Sequence, residues 1–296
     1  MKNIKLEIKN RFGNVLSSQL YTSEEVEVDK IALFVHCFAC SNSFSVVENI
    51  SRELINSGIS VLSFDFTGLG LGEGDFCDTN ISTNTSDILD INDYLSKHYS
   101  SASILIGHSL GGVAALLSAN LMPNLEAIVT IATLSYSSHI TKHFYNSEEY
   151  ILNDGEVTVL IGERPFLIEK QFLEDLERHN VEEEIGKLRK PLLIMHSPQD
   201  LIVGIENAAS LYKKATHSKS FITLDCADHL ITNKRDAFYI AKIISIWVKR
   251  YLDIENNQCE TINTSGDGKQ KVSEFTSQFN NKFGDNDPVN FWGCII

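Results

Sequence analysis

The residues with the clearest chemical potential are Gly107-His108-Ser109-Leu110-Gly111-Gly112, a G-x-S-x-G sequence between an apolar run over 103–106 and a small-residue helical pattern. A serine on so tight a strand-to-helix turn has strained dihedrals. Gly107 and Gly111 remove side chains that would collide there, and Gly112 lets the helix lie close to its neighbours. The turn would lift the Ser109 hydroxyl clear of the sheet and leave the Leu110 N–H at a helix N-terminus, free to bind a developing oxyanion. A hydroxyl is a weak nucleophile. It needs a base within hydrogen-bond reach, and that base needs a carboxylate to orient it. Asp200, after the run 192–195, and His229, after 220–224, supply both in the order serine, acid, histidine. At the carboxyl ends of three strands they would meet on the edge where open α/β sheets bind ligands. A second oxyanion donor is expected from the loop after an early strand, Val35-His36-Cys37-Phe38-Ala39-Cys40-Ser41, at the N–H of Phe38.

Rival readings are weaker. His36, His108 and His196 stand beside strands and read as oriented core residues rather than bases. Asp225 and Asp228 are too near His229 in sequence to orient its ring from behind, and read as loop caps. His139 and His143 have the i, i+4 spacing of a zinc-binding helix, but the glutamate of H-E-x-x-H is absent, so no metal is expected. The glycine-rich stretch 65–74 matches neither nucleotide-loop pattern and reads as a turn beside the catalytic edge; no cofactor is expected. Cys37-Phe38-Ala39-Cys40 has C-x-x-C spacing, which reads either as two small apolar fillers or as a redox pair able to switch the oxyanion loop.

The elements that must position these residues alternate between strand and helix patterns, as in a mostly parallel α/β sheet. Strands are expected at 3–9 and 14–21 (an antiparallel opening pair), 31–35, 60–64, 103–106, 127–131, 192–195 and 220–224. Helices are expected at 44–57, 84–98, after Ser109 and at 235–250, the last burying Ala237, Phe238, Ile240, Ala241, Ile244, Trp247 and Val248. Residues 134–190 interrupt this rhythm with a hairpin at 156–168 and an amphipathic segment carrying Ile168, Phe172, Leu173 and Leu176, and read as a cap insertion. Phe144, Tyr145, Phe166, Phe172 and Leu173 are its candidate substrate-binding residues, suiting an apolar acyl or alkyl group. Residues 253–296 turn polar and read as a tail.

Composition narrows the partners. With 296 residues, there is room for one large domain or two small ones. A net charge of −14 argues against nucleic acid. Apolar residues at 43% and charged ones at 22% describe an ordinary soluble globular chain, with no run able to cross a bilayer. The alternating start, Met1-Lys2-Asn3-Ile4-Lys5, lacks the apolar core of a signal peptide. Six cysteines are too sparse for a disulfide scaffold, so a reducing, cytoplasmic setting is the simpler reading. A homo-oligomer is compatible with the sequence.

Gly107-His108-Ser109-Leu110-Gly111, Asp200 and His229 resemble the triad of the α/β-hydrolase superfamily. Phe34-Val35-His36-Cys37-Phe38-Ala39-Cys40-Ser41 and Phe64-Asp65-Phe66-Thr67-Gly68-Leu69-Gly70 are similar to one branch, the hydrolase halves of proteins fused to an OsmC-like domain. The resemblance covers roughly 1–252. It implies the α/β-hydrolase fold, an eight-stranded sheet with helices on both faces and a cap over 134–190. It also implies Ser109 as nucleophile, His229 as base, Asp200 as acid, and Phe38 with Leu110 as oxyanion donors. Cys37 stands where many hydrolases carry glycine, and Thr67 where an arginine is often found. Thr264-Ser265-Gly266-Asp267-Gly268-Lys269 and the stretch 283–289 resemble the opening strands of an OsmC-like domain, of which the tail would be a remnant. The expected activity is hydrolysis of a small ester, thioester or amide through an acyl-enzyme. The alternatives are a redox-regulated or peroxide-linked protein using Cys37 and Cys40, and a non-catalytic binding protein on the same fold.

Overall fold

Eight strands form one sheet in the order β1 (Lys2–Lys9), β2 (Val15–Thr22), β4 (Ile59–Phe64), β3 (Lys30–Val35), β5 (Ala102–His108), β6 (Ala127–Ile131), β9 (Leu192–His196), β10 (Lys219–Thr223). This is a computed structural model. It describes residues 1–24, 28–37, 45–135, 156–161 and 164–252, with the backbone alone at 45, 156–161 and 164–166. β2 runs against both of its neighbours, and every other adjacent pair is parallel. From β3 the chain passes to β4 on one side and then to β5 on the other. The strand order therefore reverses at β3/β5, and the carboxyl ends of these two strands border the crevice where such sheets hold ligands.

Alternation along the parallel strands feeds two cores. On β5, Leu105 points into the core beneath α2 (Ile81–His98) and α3 (Leu110–Ala119), while Ile104 and Ile106 face the core under α1 (Ser45–Asn56) and the last helix, α7 (Lys234–Leu252). Every residue of β5 is buried, as a strand covered on both faces should be. The apolar stripe of α7 is Ala237, Ile240, Ala241, Ile244 and Val248. Phe238, expected inside, is 57% exposed, because one residue past Ala237 turns its side chain about 100° off that stripe.

α2 begins three residues earlier than its apolar pattern suggests. Asn80 accepts from the Thr83 N–H at 2.9 Å, and Thr83 Oγ1 accepts from the Asn80 N–H at 2.7 Å, a reciprocal cap that starts the helix. The expected hairpin is present as β7 (Glu156–Ile161) with β8 (Arg164–Glu169). It leads into α4 (Lys170–Arg178) and then α5 (Val181–Lys187). α6 (Glu206–Lys214) crosses between β9 and β10. Met1–Leu252 makes one compact unit, and the tail at 253–296 lies outside the described residues.

Candidate active site

Ser109 sits between β5 and α3 with φ 55° and ψ −123°, a conformation that non-glycine residues rarely adopt. Its neighbours allow the turn. A Cβ on Gly107 would stand 2.5 Å from the Gly112 Cα, and one on Gly111 would stand 2.2 Å from the His36 carbonyl oxygen. The Ser109 N–H donates to the Ile131 carbonyl at 2.9 Å, which ties the turn to β6. Leu110 opens α3, so its N–H is among the first four of the helix, which have no acceptor within it. Strain gathers at this edge. Among the described residues the non-glycines with positive φ are Ser109, Ala132 after β6, and Cys226 and Ile231 on either side of His229.

The structure brings Ser109, His229 and Asp200 together. His229 Nε2 lies 3.0 Å from Ser109 Oγ, and its Nδ1 lies 2.8 Å from Asp200 Oδ2. A carboxylate only accepts, so Nδ1 carries the proton and Nε2 presents its lone pair to the hydroxyl. The other Asp200 oxygen accepts from the N–H groups of Ile202 (2.8 Å) and Val203 (2.9 Å). Burial pushes the Asp200 carboxyl up. The hydrogen bond and charge of His229, with the Val203 and Ile202 N–H groups, outweigh it and hold the group below the usual carboxylate range. A hydroxyl, a correctly oriented imidazole and a fixed carboxylate in this relation can pass a proton from Oγ to Nε2.

The remaining candidates divide. Phe38, Cys40, His139, His143, Phe144 and Tyr145 lie outside the described residues, as does the side chain of Phe166. Phe172 and Leu173 are 2% and 5% exposed within the core, with the Phe172 ring 6.5 Å from that of Phe76. The apolar face of α4 is filled by the fold, leaving those two little to offer a substrate. Asp228 accepts from Thr232 and caps its loop. The glycine-rich loop folds around carboxylates: Asp65 accepts from Leu71 N–H and Asp87 from Thr67 N–H, each at 3.0 Å. Those N–H groups are not available to a phosphate. No group of three metal-ligating side chains occurs among the described residues. Cys37 is disulfide-bonded to a partner that is not among the described residues, whereas Cys77 and Cys226 are free thiols.

Two connections were not anticipated. His108 and His196, read as core residues, each donate to the backbone of a loop that carries a member of the serine–histidine–aspartate set, His229 and Asp200 respectively. Asn207 on α6 accepts from the N–H and hydroxyl of Ser135, where the insertion leaves the sheet, and donates to Gly204 O in the loop after Asp200. The partners are far apart in sequence, and only the histidines' positions next to strand ends gave any signal.

Residues 32–239 match the alpha/beta hydrolase family. This chain belongs to the α/β hydrolase family. The esterase domain of a Rhodothermus marinus protein superposes with a TM-score of 0.70 at 39% identity, covering 85% of this chain and 100% of that one. Est1E from Butyrivibrio proteoclasticus, with ferulic acid bound, gives a TM-score of 0.73 at 19% identity, over 84% of this chain and 99% of its own. Alpha/beta hydrolase domain-containing protein 10 from mouse gives 0.70 at 19% identity, over 84% and 99%. The last two carry the fold alone. No curated protein matches the sequence. With the α/β-hydrolase fold and an esterase relative, the chain is an esterase-like hydrolase. Nothing in these matches bears on the OsmC-like resemblance. Among the described residues no helix is long and apolar enough to cross a membrane.

Proposed function

We propose that this α/β hydrolase is a serine esterase acting through an acyl-enzyme on a small ester with an apolar acyl or alkyl group. The observation that carries the reading is the 3.0 Å approach of His229 Nε2 to Ser109 Oγ, with Asp200 behind the ring. Oγ attacks the carbonyl carbon as its proton passes to Nε2, and the carbonyl electrons move to the oxygen. The Leu110 N–H, with that of Phe38, receives this oxyanion. Collapse breaks the bond to the leaving alcohol, which takes the proton from Nε2. Water then repeats the sequence and frees the acid. Asp200 keeps its negative charge throughout and stabilises the imidazolium. Leu201, Ile202 and Leu230, next in the chain to Asp200 and His229, are 94%, 52% and 40% exposed and favour an apolar substrate. Residues 134–190 act as a cap, and the hydrolase domain ends at 252.

The test is a panel of p-nitrophenyl esters of increasing chain length, run beside a fluorophosphonate probe. Wild type hydrolyses short and medium esters and is labelled at Ser109, and Ser109→Ala does neither. Ester hydrolysis surviving in Ser109→Ala, or no labelling of the wild type, overturns the reading in favour of a binding protein. A thioester and an anilide of the same acyl group rank the three leaving-group classes.

A second, regulatory reading rests on Cys37, which is buried and disulfide-bonded and whose carbonyl accepts from His36 Nδ1 at 2.7 Å. Reduction there would act on the loop carrying Phe38. Hydrolysis indifferent to both thiol reductant and peroxide removes this reading.

A further inference from the structure

Two buried imidazoles stand behind the reacting groups and take no part in the proton transfer. His108 ends β5, 2% exposed, with Nε2 2.8 Å from the backbone oxygen of His229 and its ring centroid 5.3 Å from that of His229. His196 ends β9, wholly buried, with Nε2 2.8 Å from the backbone oxygen of Val203. A carbonyl only accepts, so in both rings Nε2 carries the proton. The Val203 N–H is one of the two donors that hold Asp200.

We propose that His108 and His196 are positioning residues: each donates one hydrogen bond from a rigid strand end to a loop carbonyl, His108 fixing the base and His196 fixing the acid. The inference rests on the serine-esterase reading above. The loop carrying His229 contains two residues at positive φ, Cys226 and Ile231, a conformation that persists only where surrounding contacts enforce it. His108 supplies such a contact from the residue next to Ser109, so nucleophile and base are referred to the same strand end. A displacement of about 1 Å between reacting groups can cost about 10²-fold in rate. The clasps must also be uncharged. A cation beside His229 would oppose the imidazolium that forms as Oγ attacks. Burial lowers the basicity of both rings, and His108, also facing His229, falls to about 3.

The test uses paired substitutions in the full-length protein, because a glutamine amide nitrogen reaches the Nε2 position and an asparagine amide stops short of it. Relative to wild type on its best p-nitrophenyl ester, we expect kcat to fall ~30-fold in His108→Asn and ~10-fold in His196→Asn. KM should stay within about twofold, and each glutamine variant should recover to within ~3-fold of wild type at a melting temperature matching its asparagine counterpart. The proposal is overturned by asparagine variants that keep wild-type kcat, or by glutamine variants no better than the asparagine ones. A loss confined to KM, or one that only tracks the folded fraction, overturns it too. A wild type inert to every ester and to the fluorophosphonate sinks the esterase reading itself, a result distinct from an active wild type with active asparagine variants.

Discussion

Ser109, His229 and Asp200 have a counterpart in Ser82, His179 and Asp175, three residues of the same types within hydrogen-bond reach where α2 meets α4. In the second set Ser82 Oγ donates to Asp175 Oδ1 at 2.6 Å, and the Ser82 N–H donates to Oδ2 at 2.8 Å. His179 Nε2 lies 2.8 Å from the same hydroxyl. The single hydroxyl proton is given to the carboxylate, so Nε2 donates to Ser82 and offers it no lone pair. No base faces this serine. Ser82 also lies in the first turn of α2, at no strained angle, and its carboxylate partner satisfies an orphan N–H of that helix. The comparison shows that the same three residue types can be arranged either to pass a proton from a serine or only to cap a helix, according to the direction of each donation and the strain of the backbone.

The largest test of this difference is Ser109→Ala against Ser82→Ala. The first should lower kcat/KM by at least about 10⁴-fold, and the second should leave it within ~3-fold. Equal losses in an ester assay would erase the distinction. Next is Asp200→Asn, which trades the acceptor facing Nδ1 for an amide and permits the wrong tautomer of His229. A loss of roughly 10³–10⁴-fold in kcat with the fold intact is expected, and Asp175→Asn should show none.

A third contrast is burial. The His179 side chain is 29% exposed, whereas His108 and His196 are enclosed. Burial first, and then the charge of His229, depress His108 to about 3. As pH falls below about 6.5 the unfolded chain protonates this imidazole while the folded chain refuses the proton, so stability is lost across the window from about 6.5 down to about 3. His36 and His196, also lowered mainly by burial, act with the same sign. Urea midpoints between pH 6.5 and 4.5 should fall, with His108 contributing about 1.4 kcal/mol per pH unit. His108→Gln should flatten that slope, and an unchanged slope would mean that this imidazole is not buried neutral.

The sequence exposed some of this wiring and hid the rest. Ser109, Asp200 and His229 were legible because each follows a short strand-like run, buried at β5 and β9 and half-exposed at the sheet edge in β10, and because glycines flank the serine. The inner strands were legible as short apolar runs, and the opening pair as alternation. Two helices were less so: α5, in the insertion, buries only Val181 and Ile185, and α6, between β9 and β10, only Asn207, Ala208 and Leu211, too few to make a clear period. α2 started early because its cap pairs Asn80 with Thr83 in place of the usual glutamate. The clasps of His108 and His196 were invisible because their partners are backbone carbonyls, which no residue type advertises. The Ser82 set was hidden for another reason: its members are 93 and 97 residues apart and lie within or at the end of helices, away from the carboxyl edge of the main sheet.

The smallest expected effect concerns that second set. Asp175 joins α4 to the start of α2, and Gln171 on the same helix donates to the carbonyls of Cys77 and Thr79, each at 2.9 Å, while accepting from Asn80 at 2.6 Å. α4 therefore holds the segment that leads from the glycine-rich loop into α2. Ser82→Ala removes one hydroxyl and leaves Asp175 with the backbone donor alone, which should cost about 1 kcal/mol. Asp175→Asn weakens both bonds and removes a favourable negative charge at a helix N-terminus, costing about 1–2 kcal/mol. Because the two substitutions share one network, the double variant should lose less than the sum of the singles. Denaturant unfolding of the four proteins reads this coupling. Strict additivity would show that the Ser82–Asp175 contact contributes nothing, leaving α4 held to α2 by Gln171 and the apolar core.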